Sequence, residues 1–154
     1  MGMFSSFNIN ASGLTAQRLR MDTISENVAN ANTTRTEDGP PYVRKIVTFA
    51  TKGAERPLTA GTFHKVLKGA TAAYVGQGVK VNGIYEDKET EGNLVYDPSH
   101  PDADENGYVL YPNVNIITEM TNLIDASRAY EANATAFNAS KSIAQQGLQI
   151  GQQS

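Results

Sequence analysis

The chain contains no cysteine, so neither disulfides nor thiolate metal sites can hold its fold. Charged residues make up only 19% of the 154 residues and apolar residues 40%, both low for a globular chain. That leaves too little bulky apolar material for a deep core, and too little charge for a disordered polyelectrolyte. No Lys or Arg precedes Arg18 and no long apolar run lies near it, so any export is expected to proceed without a cleaved signal peptide. No segment approaches the roughly 20 apolar residues needed to span a bilayer, and direct membrane insertion is not expected. The net charge of −3 lacks the basic excess that a nucleic-acid partner requires.

Asn, Ser, Thr, Gln, Gly and Ala fill the space that charge and bulk leave. Such a composition suits small-residue surfaces that pack against copies or neighbours. Charge is split along the chain rather than mixed. From Arg44 to Lys80 there are seven Lys or Arg and one acid, Glu55; from Glu86 to Glu105 there are eight acids and one base, Lys88. Either the two blocks pair within one protomer, or a positive face meets a negative face on the next subunit.

The pattern predicts an α+β fold of three zones. Residues 1–34 form an N-terminal assembly helix: Phe7, Leu14, Met21 and Val28 recur every seven residues, with Ile24 and Ala31 beside them. Asp38-Gly39-Pro40-Pro41 ends that pattern. Residues 35–112 form a small β-rich middle region. Strands are expected at Tyr42–Phe49, Val79–Tyr85, Asn93–Tyr96 and Tyr108–Tyr111, with a shorter one near Thr62–Leu67. Residues 113–154 form a C-terminal assembly helix. Ile116, Met120, Leu123, Ser127, Tyr130, Ala134, Phe137, Lys141, Ala144 and Leu148 alternate spacings of four and three, and eight of these ten are apolar. Asn113 or Asn115 is the expected cap, and Gly151 the expected end. Such a helix, about 55 Å long, exceeds what the middle region can cover. The first helix is its natural partner, the two pairing as a coiled-coil-like stalk that also packs on other subunits.

No arrangement for catalysis emerges. Asp102-Ala103-Asp104-Glu105-Asn106-Gly107 matches the first half of a calcium loop, but Asn113 stands where the bidentate Glu belongs, and Pro98 and Pro101 exclude the entering helix. His64 and His100 share no ligand spacing. Gly76-Gln77-Gly78 opens like a dinucleotide fingerprint, yet Val81 occupies the third glycine position. The expectation is a non-enzyme with no catalytic residues, cofactor or metal.

Ser12 through Asp22, continuing through Asn27-Val28-Ala29-Asn30-Ala31-Asn32-Thr33-Thr34, resembles the N-terminal signature of flagellar rod, hook and hook-filament-junction proteins. Asp97 through Asp104, Gly107-Tyr108-Val109, Tyr111 through Asn115, Glu119-Met120 and Ala126 through Asn133 narrow the resemblance to the proximal-rod branch. Residues 50–95 add nothing to it. The resemblance implies a structural subunit of the flagellar basal body, exported by the flagellar type III apparatus and assembled in the periplasm. Its partners would be copies of itself and other rod proteins, adjoining the MS-ring and export-gate side and the distal rod. The terminal helices would line the export channel and fold on assembly.

For the assembly interface, the packing stripes supply Leu14, Met21, Ile24 and Val28 on the first helix, and Met120, Leu123, Tyr130, Phe137 and Leu148 on the second. The shared motifs add Asn30, Asn32, Arg128 and Glu131. Leu123→Asp is expected to leave a soluble monomer that does not enter the rod. The alternatives are a sibling axial subunit and a secreted β module with a helical stalk that binds a ligand.

Overall fold

A computed structural model describes residues 3–52 and 77–152. Along the chain lie α1 (Met3–Ala29), β1 (Lys45–Thr51), β2 (Val79–Glu86), β3 (Asn93–Tyr96), β4 (Tyr108–Tyr111) and α2 (Ile116–Gln152). The expected strand near Thr62–Leu67 lies outside the described residues.

Both helices are rich in Ser, Thr and Asn, residues that ordinarily compete with helical hydrogen bonding. Here many of them bond back onto their own helix. In α1 the hydroxyls of Thr15, Thr23 and Ser25 donate to the carbonyls of Ala11, Leu19 and Met21. In α2 those of Thr121, Thr135, Ser140 and Ser142 do the same four residues back. These hydroxyls are satisfied locally, within their own helix.

Helix α1 stops at Ala29, and the shared Asn30–Thr33 motif forms its terminus. The Asn30 side-chain amide donates to the Glu26 carbonyl at 3.0 Å, and the Thr33 hydroxyl donates to Asn30 Oδ1 at 3.2 Å. Gly39, at φ 101°, then allows the tight turn in which Thr36 N–H and hydroxyl both reach the Pro40 carbonyl. Helix α2 is capped by Asn115, whose Oδ1 accepts the Thr118 N–H at 3.1 Å. Asn113 is not a cap, being engaged elsewhere. Gly151 does not end the helix, which continues through it to Gln152.

The strands form two two-stranded sheets, β1 with β2 and β3 with β4. Asp87 N–H bonds the Arg44 carbonyl at one end of the first sheet, and Lys52 N–H bonds the Gly78 carbonyl at the other. The chain directions are therefore opposed. β1 starts three residues later than expected because Tyr42 is drawn to the end of α1, its N–H bonding the Thr33 carbonyl. The β3–β4 hairpin is antiparallel, with Asn93 opposite Tyr111 and Tyr96 opposite Tyr108.

The chain divides into two compact units. One holds Met1–Gln17, Phe49–Asn82 and Ala129–Ser154; the other holds Arg18–Thr48 and Gly83–Arg128. In the first, the rings of Phe7 and Phe137 meet edge-to-face with centroids 5.1 Å apart. A Cβ on Gly13 would lie 2.7 Å from Asn133 Oδ1. Moving forward on α1 is thus moving back on α2, and the helices pair antiparallel. The described part of α1 begins four residues before Phe7, whereas α2 continues fifteen residues beyond Phe137. The second unit buries Ile24, Ala31, Tyr42, Val109 and Ala126.

Candidate assembly site

Two of the fully buried side chains of the second unit are polar. Asn27 projects from the last turns of α1 and Glu119 from the first turn of α2, and both are fully buried. Asn27 Nδ2 donates to Glu119 Oε2 at 3.0 Å and to the Lys45 carbonyl at 2.8 Å. Its Oδ1 accepts the Tyr42 hydroxyl and the Lys45 N–H, each at 2.9 Å. All four hydrogen-bonding positions of the carboxamide are filled.

Glu119 Oε1 accepts from Arg44 Nε at 2.9 Å and Nη2 at 2.6 Å. Arg44 Nη1 also lies 3.6 Å from Asp87 Oδ2. Asn113 fixes the backbone behind this pair, accepting the Arg44 N–H at 2.8 Å and donating to the carbonyls of Asp87 and Thr90. One network therefore joins α1, the 42–45 segment, the 87–90 turn and α2. A buried ion pair of this kind tends to fix register more than it adds stability.

Electrostatics follow from this geometry. Burial, then the nearby carboxylates of Glu26, Glu119 and Glu86, push the Tyr42 phenol up to about 12. Hydrogen bonds from the Thr90 hydroxyl and amide hold the Asp87 carboxyl below its usual value, and bonds from Ser99 do the same for Asp97. In the loop that resembles a calcium site, Asp104 Oδ1 accepts the N–H groups of Asn106 and Tyr108, and His100 Nδ1 accepts that of Asp102. Among the described residues no group of three or more His, Cys, Asp or Glu is placed to hold a metal ion. No helix among them is long and apolar enough to cross a membrane.

The residues expected at the assembly interface fall into distinct settings. On α1, Ile24 is buried, while Leu14, Met21, Val28 and Asn30 are half-buried and Asn32 is exposed. On α2, Leu123, Tyr130 and Phe137 are half-buried; Met120, Arg128, Glu131 and Leu148 are exposed. Arg128 and Glu131 form no ion pair among the described residues. In α1, Ala16, Thr23, Ile24 and Asn27 are buried, and Ala31 is buried just past its end.

Sequence reasoning missed Asn27, Tyr42, Arg44 and Glu119 as a cluster. Their one signal was Asn27 and Glu119 lying inside the resemblance motifs, since the two are 92 residues apart.

Sequence relatives define the class of protein, a subunit of the flagellar basal-body rod. Residues 7–35 match the family described as flagella basal body rod protein, and residues 105–150 match the C-terminal family of flagellar basal body rod FlgEFG proteins. The chain is 48% identical to the flagellar basal-body rod protein FlgC of Borreliella burgdorferi, over 97% of this chain and 98% of that one. It is 44% identical to FlgC of Bacillus subtilis, over 98% and 99%. With FlgC of Salmonella typhimurium it shares 37% identity over 99% and 100%. The chain belongs to the FlgC family of flagellar basal-body rod proteins.

Proposed function

We propose that the chain is a structural subunit of the proximal rod of the bacterial flagellar basal body, assembling through its terminal helices into a tubular axial structure. Family membership supports the rod assignment, and the free end of α2 supports the mode of assembly. Beyond Phe137 this helix has almost no α1 left to face, yet it carries Ile143, Leu148 and Ile150 at 68%, 63% and 73% exposure. Apolar side chains along a helix so poorly covered by its own chain are best accommodated by a neighbour. The stretch also has Ala139, Ala144 and Gly147, small enough for close helix contact.

The subunit reaches the periplasm through the flagellar type III export apparatus. It takes its place among copies of itself and other rod proteins, between the MS-ring and export-gate side and the distal rod. Its role is mechanical, and no catalytic step belongs to it.

Leu148→Asp tests this reading. Leu148 is exposed in the single chain, so the substitution should leave monomer solubility and unfolding unchanged. Incorporation into isolated basal bodies and swarming should both be lost. Normal motility with Leu148→Asp in the rod would count against assembly through this face.

A further inference from the structure

The second unit carries an apolar face that its own described residues leave open. Strand side chains alternate, so the register of the hairpin sends Leu94, Tyr96, Tyr108 and Leu110 to one side and Val95, Val109 and Tyr111 to the other. The latter side turns inward at Val109, which is fully buried, although Val95 is 38% exposed. The former does not: Leu94, Tyr96, Tyr108 and Leu110 are 65%, 64%, 45% and 42% exposed. Tyr96 and Tyr108 meet edge-to-face at 5.2 Å, which holds the face in shape before any partner arrives.

The rim of this face is acidic. Glu89 and Glu91 precede β3, Asp104 and Glu105 precede β4, and all four are exposed. None forms an ion pair among the described residues. Among the described residues Arg44 of the basic block lies beside Asp87 of the acidic one, while Lys45 turns to Glu26. The complementary chemistry is an apolar segment with a basic rim. Residues 52–68 of this chain have that composition: Lys52, Arg56, Lys65 and Lys68 against the single acid Glu55, interspersed with Leu58, Phe63, Val66 and Leu67.

We propose that the outward face of the β3–β4 hairpin docks on residues 52–68 of a second copy of the chain. The contact joins two different surfaces, so it is heterologous and propagates from subunit to subunit, as a helical or ring-shaped rod layer requires. Leucine and tyrosine at the centre supply burial, and the charges at the rim set orientation and encounter rate. The inference rests on the rod-subunit reading but concerns a surface apart from the terminal helices.

The test places p-benzoylphenylalanine at Tyr96 in full-length chains co-expressed with an epitope-tagged copy. Isolated basal bodies are irradiated, and cross-linked peptides are identified by mass spectrometry. The expected product joins position 96 of one copy to residues 52–68 of the tagged copy. Glu89→Lys with Glu91→Lys should lower its yield at least tenfold, and Lys65→Glu with Lys68→Glu on the tagged copy should restore it. Both pairs exchange charges without touching the apolar centre, and circular dichroism checks that the variants fold. Cross-links confined to one chain, cross-links to a different protein, or none in basal bodies that contain the subunit would overturn the proposal. If the unsubstituted tagged chain is itself absent from basal bodies, the rod-subunit reading falls with it.

Discussion

Glu119→Ala should be among the most destabilising single substitutions in the second unit. It removes both Arg44 contacts to Oε1 and the Asn27 contact to Oε2 from a fully buried position. Breaking a buried pair from one side costs about 3–5 kcal/mol. Arg44 keeps partial solvent access and Asp87 at 3.6 Å, which places its share at the lower end. The orphaned Asn27 amide adds about 1 kcal/mol, for a total of about 4 kcal/mol. Glu119→Gln keeps the shape and an acceptor but loses the charge assistance, so it should cost about 2 kcal/mol. Urea unfolding followed by far-ultraviolet circular dichroism measures both. With a slope near 2 kcal/mol per molar, the midpoints should fall by about 2 M for Ala and about 1 M for Gln. A Glu119→Ala midpoint within about 0.5 M of the parent, or a Gln variant as damaged as Ala, would refute the reasoning.

Other outcomes follow from particular contacts. The Tyr42 phenol is raised from 10.0 to about 12, so its contribution is fully present below pH 10 and is lost as pH rises toward 12; Tyr42→Phe should flatten the stability profile across that window. Gly78→Ala should lower the thermal midpoint by several degrees, because φ is +95° and the added Cβ would lie 2.2 Å from Ser12 Oγ and 3.2 Å from the Ile9 Cα. Gly13→Ala should be milder, since it meets only the far end of Asn133; equal midpoints for the two would contradict this ordering. Amide exchange in the free subunit should be slow at residues 18–29 and 116–128, which carry the Asn27–Glu119 network, and fast at 138–152. Uniform protection along α2 would oppose that division.

Much of the fold was legible because it depends on local pattern. β3 and β4 begin and end where Asn93–Tyr96 and Tyr108–Tyr111 flank an Asp, Pro and Gly loop, since turn chemistry and β-branched or aromatic runs act over a few residues. Both long helices were readable from the three-and-four spacing, although the ends drifted: α1 stops at Ala29, and Gly151 lies inside α2. What periodicity does not report is depth. It marks Leu14, Met21 and Val28 with Ile24 as the apolar stripe, yet Ile24 is buried while the other three are half-buried, and the polar Thr23 and Asn27 are as deep as Ile24. The Asn27–Glu119 contact was illegible for another reason. A lone Asn and a lone Glu on separate helices carry no mutual signal until the fold closes a loop of 92 residues.

The same two helices do different work in the two units, and their polar content explains why. In the second unit, Asn27, Tyr42, Arg44 and Glu119 satisfy one another within a single chain, so the helical segments there have reason to order before any partner is met. In the first unit, the helices are joined by Phe7 with Phe137 and by small residues, and α2 runs on with Ile143, Leu148 and Ile150 open. Ordering a residue costs about 1–2 kcal/mol in backbone entropy, and an exposed helix end recovers little of that by burial. On the proposed mode of assembly, the stretch from 138 to 152 would draw its order from a neighbour. The polar lock sets the register of one chain, while the open helix end reserves its apolar surface for the lattice.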